Sequence, residues 1–171
     1  MRSLIPLRLI AALLLCVPVL ALTAAPKARG QPMRDPVLAR AMLAAHNAER
    51  ARVGVPPLVW SDRLAAAALG WAEQLIATGA FAHRPNDRYG ENLYTIYGAF
   101  ASPGQVVAAW ADEARAYDIR SNTCFGVCGH YTQLVWRQTR MVGCAVASRG
   151  PREVWVCEYD PPGNYIGFRP Y

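Results

Sequence analysis

Two runs in the last third of the chain leave it little freedom to fold. Gly129 to Thr139 reads GHYTQLVWRQT, and Val154 to Tyr165 reads VWVCEYDPPGNY. Neither run is generic core filling. His130, Thr132 and Gln133 interrupt an apolar segment, and such side chains need hydrogen-bond partners wherever they are buried. Pro161-Pro162-Gly163-Asn164 dictates a specific turn. Cysteines stand next to both runs, at Cys124 and Cys128 before the first and at Cys144 and Cys157 around the second.

A length of 171 residues suits one domain. Residues 1–25 read as an export signal in front of it. Arg2 and Arg8 precede an apolar run from Leu9 to Leu22, and the small residues Ala21, Ala24 and Ala25 follow. The apolar run, about 14 residues, falls short of the roughly 20 that span a bilayer. Cys16 lies inside it behind Leu15, which is not the small residue a lipoprotein signal wants. Residues 26–34 read as a flexible leader and 35–171 as the domain.

Removal of the signal leaves Cys124, Cys128, Cys144 and Cys157. An even number in an exported chain points to two disulfides, and four cysteines allow three pairings. A structural zinc site is the rival reading, but the spacing lacks two CxxC knuckles. The expected location is secreted or periplasmic. Loss of Arg2 and Arg8 leaves sixteen basic and twelve acidic residues, a net charge of +4 with no Lys/Arg run. This favours loose attraction to anionic cell-envelope surfaces. Nucleic acid is not an expected partner, because it wants a clustered basic stripe.

Asp35-Pro36 reads as the start of a helix that stops near Gly54, and Ser61 as the cap of a second that ends at Gly79. Leu64, Ala68, Trp71, Leu75 and Ile76 are spaced as one helical face. Residues 80–101 are expected to form a loop carrying His83 and Glu91. Ser102-Pro103 begins a third helix with Val106, Trp110, Ala114 and Tyr117 on one face, and Gly129 opens a short fourth. Met141 to Ser148 and Glu153 to Tyr159 are strand-like, with a hairpin turn at Gly150-Pro151. The class is therefore mixed α+β.

Five ordered segments carry a family resemblance. They are His46-Asn47-Ala48-Glu49-Arg50, Gly90-Glu91-Asn92-Leu93, Trp110-Ala111-Asp112-Glu113 with Tyr117, and the two runs quoted above. Together they resemble the CAP superfamily of cysteine-rich secretory, antigen-5 and plant pathogenesis-related class-one proteins. The plant members look most alike, down to the terminal Arg169-Pro170-Tyr171. The resemblance implies a three-layer α-β-α sandwich. With it, the preferred pairing is Cys124 with Cys128, closing a small loop, and Cys144 with Cys157, joining adjacent strands. The plant proteins carry a third disulfide whose two partners are both missing here. Glu158 departs from the Asn or small polar residue usual after the cysteine, and a surface position is expected for it.

The resemblance also implies that His83, Glu91, Glu113 and His130 converge in a central cleft. Two neutral imidazoles suit Zn2+ or another divalent cation, with the carboxylates orienting the rings or completing the coordination. A purely structural His/Glu network is the bland alternative. His46, Asn47, Arg50, Thr132 and Gln133 read as structural, with a ligand role for His46 the alternative. No nucleophile elbow, phosphate loop or HExxH pattern occurs, so a metal-dependent hydrolase or protease is the competing reading rather than the main one. The aromatic segment Tyr89, Tyr94, Tyr97 and Phe100 is the candidate for a sterol, fatty acid or other lipid. The tail Pro161 to Tyr171 matches plant relatives whose tail is released as a signalling peptide, and cleavage after Asp160 would free 11 residues. The expectation is a monomeric exported binding protein with a defence or host-interaction role.

Overall fold

The computed structural model describes residues 29–32, 36–85 and 88–171. The export signal lies outside the described residues. The central sheet has the order β1-β6-β7-β3, with β1 at Arg29–Pro32, β3 at Gly90–Tyr97, β6 at Met141–Arg149 and β7 at Arg152–Asp160. These strands are antiparallel neighbours. A two-residue strand, β2 (Val59–Trp60), lies parallel to the start of β6.

Alternation along β6 and β7 divides the side chains between two cores. Ala145, Ala147, Val154 and Val156 point to one face and pack with Ala68, Ala72, Leu75 and Ile76 of α2 (Asp62–Thr78). Val142, Cys144, Trp155, Cys157 and Tyr159 point to the other. There they meet Met42 of α1 (Pro36–Arg52), Val106 and Trp110 of α3 (Pro103–Ala111), and Tyr131 and Leu134 of α4 (Gly129–Leu134). The period of two in the strands thus produces a three-layer α-β-α sandwich. Gly143 sets the helix-to-sheet distance on the α2 side. A Cβ there would run into the backbone of Ser61, Leu64 and Ala65 at the start of α2.

Helix α2 begins as its sequence demands, with Ser61 accepting from the Leu64 N–H, and α3 begins on a full capping box between Ser102 and Gln105. Helix α1 buries Met42, His46 and Arg50 in one row, each four residues from the last. Its inward face is therefore half polar. Among the described residues no helix is long and apolar enough to cross a membrane.

Three expectations are corrected. Residues 29–32, placed in a flexible leader, form β1 because the exposed edge of β6 offers them a ladder from Ala145 to Ser148. Residues 90–97, read as loop, form β3 and pair with β7 along their whole length. The polar Gly90-Glu91-Asn92 start hides this strand, since Asn92 finds its partners in α4 and β7 and Glu91 turns back to His83 and Arg84. Helix α3 does not run on to Tyr117. It ends at Ala111 and tightens into a 3-10 turn, Asp112–Ala116, a frequent helix ending. Ala114 and Tyr117 nevertheless pack against the same core. Tyr117–Asp118 (β4) then pairs with Thr123–Cys124 (β5). Disulfides join Cys124 to Cys128 and Cys144 to Cys157, the second between directly opposed residues of β6 and β7.

Candidate functional site

Two imidazole–carboxylate pairs are the chemically suggestive feature of the molecule. In the first, Glu113 of the 3-10 turn faces the start of α4. Its Oε2 accepts the backbone N–H groups of His130 (2.9 Å) and Tyr131 (3.3 Å), and its Oε1 lies 2.6 Å from His130 Nδ1. One carboxylate therefore satisfies the exposed donors of a helix end and orients a ring. The ring is also stacked on Trp110, with centroids 6.3 Å apart. A carboxylate at Nδ1 places the proton there and leaves Nε2 with its lone pair.

In the second pair, His83 Nδ1 lies 2.5 Å from Glu91 Oε1, which also accepts the Arg84 N–H at 3.2 Å. The hydrogen bond to Glu91 raises the His83 pKa, against the opposing effect of partial burial. His83 is 64 % exposed while Glu91 is 6 % exposed, so the carboxylate is fixed and the ring faces solvent. Strand β3 connects the two pairs. Glu91 holds His83, and the next residue, Asn92, donates to the His130 carbonyl (3.0 Å) and to the Tyr159 hydroxyl (3.2 Å). Gly90 is required just before them because its missing side chain leaves room for the Gln133 carboxamide.

The four residues form two pairs, and among the described residues no three of them bring ligand atoms within 4.8 Å of one another. Among the described residues, the one grouping of three possible ligand atoms within 4.8 Å is His46, Cys144 and Cys157. It has no metal chemistry to offer, because both cysteines are disulfide-bonded and both nitrogens of His46 are used. His46 Nδ1 donates to the Met42 carbonyl (2.8 Å), and Nε2 accepts from the Tyr159 hydroxyl (2.9 Å). Burial lowers the His46 pKa to about 4 and raises that of Tyr159.

The remaining motif residues tie chain segments together. Arg50 donates to four carbonyls, those of Pro56, Leu134, Trp136 and Thr139, at 2.8–3.2 Å. Burial lowers its pKa to about 10. Asn47 exchanges two hydrogen bonds with the backbone of Leu58. Thr132 donates to Asn164 Oδ1, and Gln133 accepts from Gly163 N while donating to Thr139.

Glu158 corrects the expectation of a surface position, for it is fully buried. It sits between Cys157 and Tyr159, so alternation turns it to the α2 side, where it is the register partner of Glu91. Arg84 lies over it with Nη2 at 3.3 Å from Oε1, and the same guanidinium bonds the Ala67 carbonyl and covers the Trp71 ring. Arg84 lies in none of the segments that carry the resemblance, and Asn92 stands in one of them without a role of its own. A glutamate within the apolar run of β7 was the available signal.

The aromatic segment proposed for lipid is mostly β3. Tyr94 packs on the core, whereas Tyr97 and Phe100 are exposed. A cavity of about 340 Å³ lies elsewhere, between α1 and α3, lined by Val53, Ala108, Ala111, Tyr131 and the charged Glu49 and Asp112 among others. The tail is pinned at several points. Pro170 is buried and its carbonyl accepts from Arg137 N, while the Tyr171 hydroxyl lies 2.8 Å from that of Tyr131.

The sandwich, the two disulfides and the paired His/Glu residues define an extracellular-type α+β domain. The sequence model of the cysteine-rich secretory protein family, CAP, matches residues 43–159, and the chain belongs to that family. It is 49 % identical over 132 residues to pathogenesis-related protein 1A of Nicotiana tabacum, covering 75 % of this chain and 78 % of that one. Pathogenesis-related protein 1 of Arabidopsis thaliana is 42 % identical over 128 residues, with 74 % and 78 % covered. Among solved structures, NaASP2 with Zn2+ superposes at a TM-score of 0.67 and 23 % identity, over 80 % of this chain and 85 % of that one. Schistosoma mansoni venom allergen-like protein 4 does so at 0.60 and 28 %, over 77 % and 92 %.

Proposed function

We propose that this CAP domain is an exported binding protein that holds a divalent cation, Zn2+ among the candidates, through Nε2 of His83 and His130. The observation that carries this reading is the common arrangement of the two rings. Each has Nδ1 engaged by a carboxylate, at 2.5 and 2.6 Å, and so presents Nε2 as the coordinating atom. Carboxylates behind imidazoles fix the tautomer and raise ligand basicity in metal sites. Two imidazoles leave the other positions to water, an open coordination set. Support from outside the chain is the Zn2+ in the NaASP2 structure.

The same geometry takes Glu113 out of any hydrolytic role. Glu113 has both oxygens committed to His130 and Tyr131, which leaves it unsuited as a base for bound water. A small apolar ligand is the second reading, supported by the cavity between α1 and α3, which Val53, Ala108, Ala111, Ala114 and Tyr131 line together with the charged Glu49, Arg52 and Asp112. A defence or host-interaction role outside the cell, in the secreted or periplasmic space, fits the names of the plant relatives and the two disulfides. Release of the tail as a peptide would require breaking its anchors on Arg137, Gln133 and Tyr131.

The test is titration of the exported, disulfide-closed protein with Zn2+ by calorimetry, backed by native mass spectrometry. One ion per chain is expected, and its loss in the His83→Ala/His130→Ala variant. Equal binding by that variant, or no binding by the parent, would end the metal reading. A co-purifying lipid mass retained by the variant would move the function to the cavity.

A further inference from the structure

We propose that the end of the molecule built from the Cys124–Cys128 loop and the 165–168 turn docks on the surface of an anionic lipid bilayer. The exposed large apolar side chains are not scattered evenly. Among the described residues, half of them fall in these two short segments. Phe125 is 77 % exposed, Val127 68 %, Tyr165 50 %, Ile166 100 % and Phe168 66 %. Exposed apolar groups are ordinary when single and informative when clustered.

The two segments form one surface. Asn164 Nδ2 donates to the Gly129 carbonyl at 2.8 Å, next to Cys128. Asn122 Nδ2 reaches the Phe168 carbonyl at 3.4 Å, and the Arg169 guanidinium bonds the carbonyls of Ile119 and Arg120. A disulfide closes the first loop, and a Phe168 N to Tyr165 carbonyl bond of 3.1 Å closes the second. The apolar tips are thus held outward by a braced backbone, so insertion would order little that is not ordered already.

Charge selects the occupant. Residues 117–140 and 161–171 contain Arg120, Arg137, Arg140 and Arg169 against a single acid, Asp118. Arg120, Arg137, Arg140 and Arg169 are all exposed. The carboxylate of Asp118 is occupied by Ser121 Oγ and the Arg120 N–H. Apolar tips within a cationic rim are the pattern that binds an anionic bilayer interface, where burial of the tips and attraction to headgroups add. A second copy of the chain suits the surface poorly, because a two-fold contact would set the arginine rim against itself.

Co-sedimentation of the exported protein with vesicles tests this. Mixed phosphatidylglycerol/phosphatidylcholine vesicles should take up the protein at least about tenfold better than phosphatidylcholine alone, and less so as salt rises. The triple variant Phe125→Ser/Ile166→Ser/Phe168→Ser should keep its circular dichroism spectrum, since all three side chains are exposed, and lose binding by at least about tenfold. The His83→Ala/His130→Ala variant should bind vesicles like the parent, which separates this surface from the metal reading. The proposal is overturned if the parent ignores anionic vesicles or if the triple variant binds them equally well. It is also overturned if sedimentation shows a parent dimer that the triple variant dissolves.

Discussion

His46 and the pair His83/His130 are the same residue type put to opposite uses. His46 is enclosed, and each of its nitrogens has a protein partner, Met42 on one side and Tyr159 on the other. His83 and His130 have a carboxylate on Nδ1, and no hydrogen bond within the protein engages Nε2 of either ring among the described residues. A histidine becomes structural when the fold satisfies its second nitrogen, and available for coordination when the fold orients the ring through the first alone. The buried region around His46 therefore belongs to stability, and the two pairs carry the proposed binding.

This division can be broken from the structural side first. Arg50→Met should be the most damaging change, since it strips donors from four carbonyls, at Pro56, at the end of α4 and in the loop that follows it. A loss of about 4 kcal/mol is expected, read by urea unfolding. Next comes pH. The unfolded chain protonates His46 near 6.5, whereas in the folded state its pKa is lowered to about 4. Stability contributed by the neutral ring is present above 6.5, falls as pH drops between these values and levels off below. The total is about 3 kcal/mol at about 1.36 kcal/mol per pH unit. A His46→Gln variant should show a flatter profile across that window, and an unchanged profile would refute the assignment. The smallest effect on stability belongs to His83→Ala, because the ring is exposed. Less than about 0.5 kcal/mol is expected, and the same variant should lose most of its Zn2+ affinity. Comparable unfolding costs for His83 and Arg50 would erase the distinction.

The parts legible in the sequence are those whose signals are local. Ser61 and Ser102 announce helix starts, and the strand-like runs Met141 to Ser148 and Glu153 to Tyr159 with Gly150-Pro151 between them announce a hairpin. His83, Glu91, Glu113 and His130 were legible as chemistry through their resemblance to a family, not through any spacing of their own. Strand β3 was not legible, because its first three residues are defined by contacts with α4 and with the loop at His83. Glu158 was misjudged for a related reason. Whether a polar side chain on a strand meets water depends on what covers it, and the cover here is Arg84, 74 residues earlier in the chain. The segment 29–32 is a strand only because β6 has an edge to lend.

Gly90 and Asn92 face α4 on one side of β3, and Glu91 faces the other. Gly90 leaves a space for the Gln133 carboxamide, Glu91 grips His83, and Asn92 reaches the carbonyl of His130. Gln133 in turn anchors Gly163 at the root of the tail. An engineer who wished to graft a new site onto this scaffold would therefore find the tripeptide indivisible. Any side chain at position 90 displaces an amide that fastens the tail, so a change meant to retune one histidine would also loosen the C-terminus.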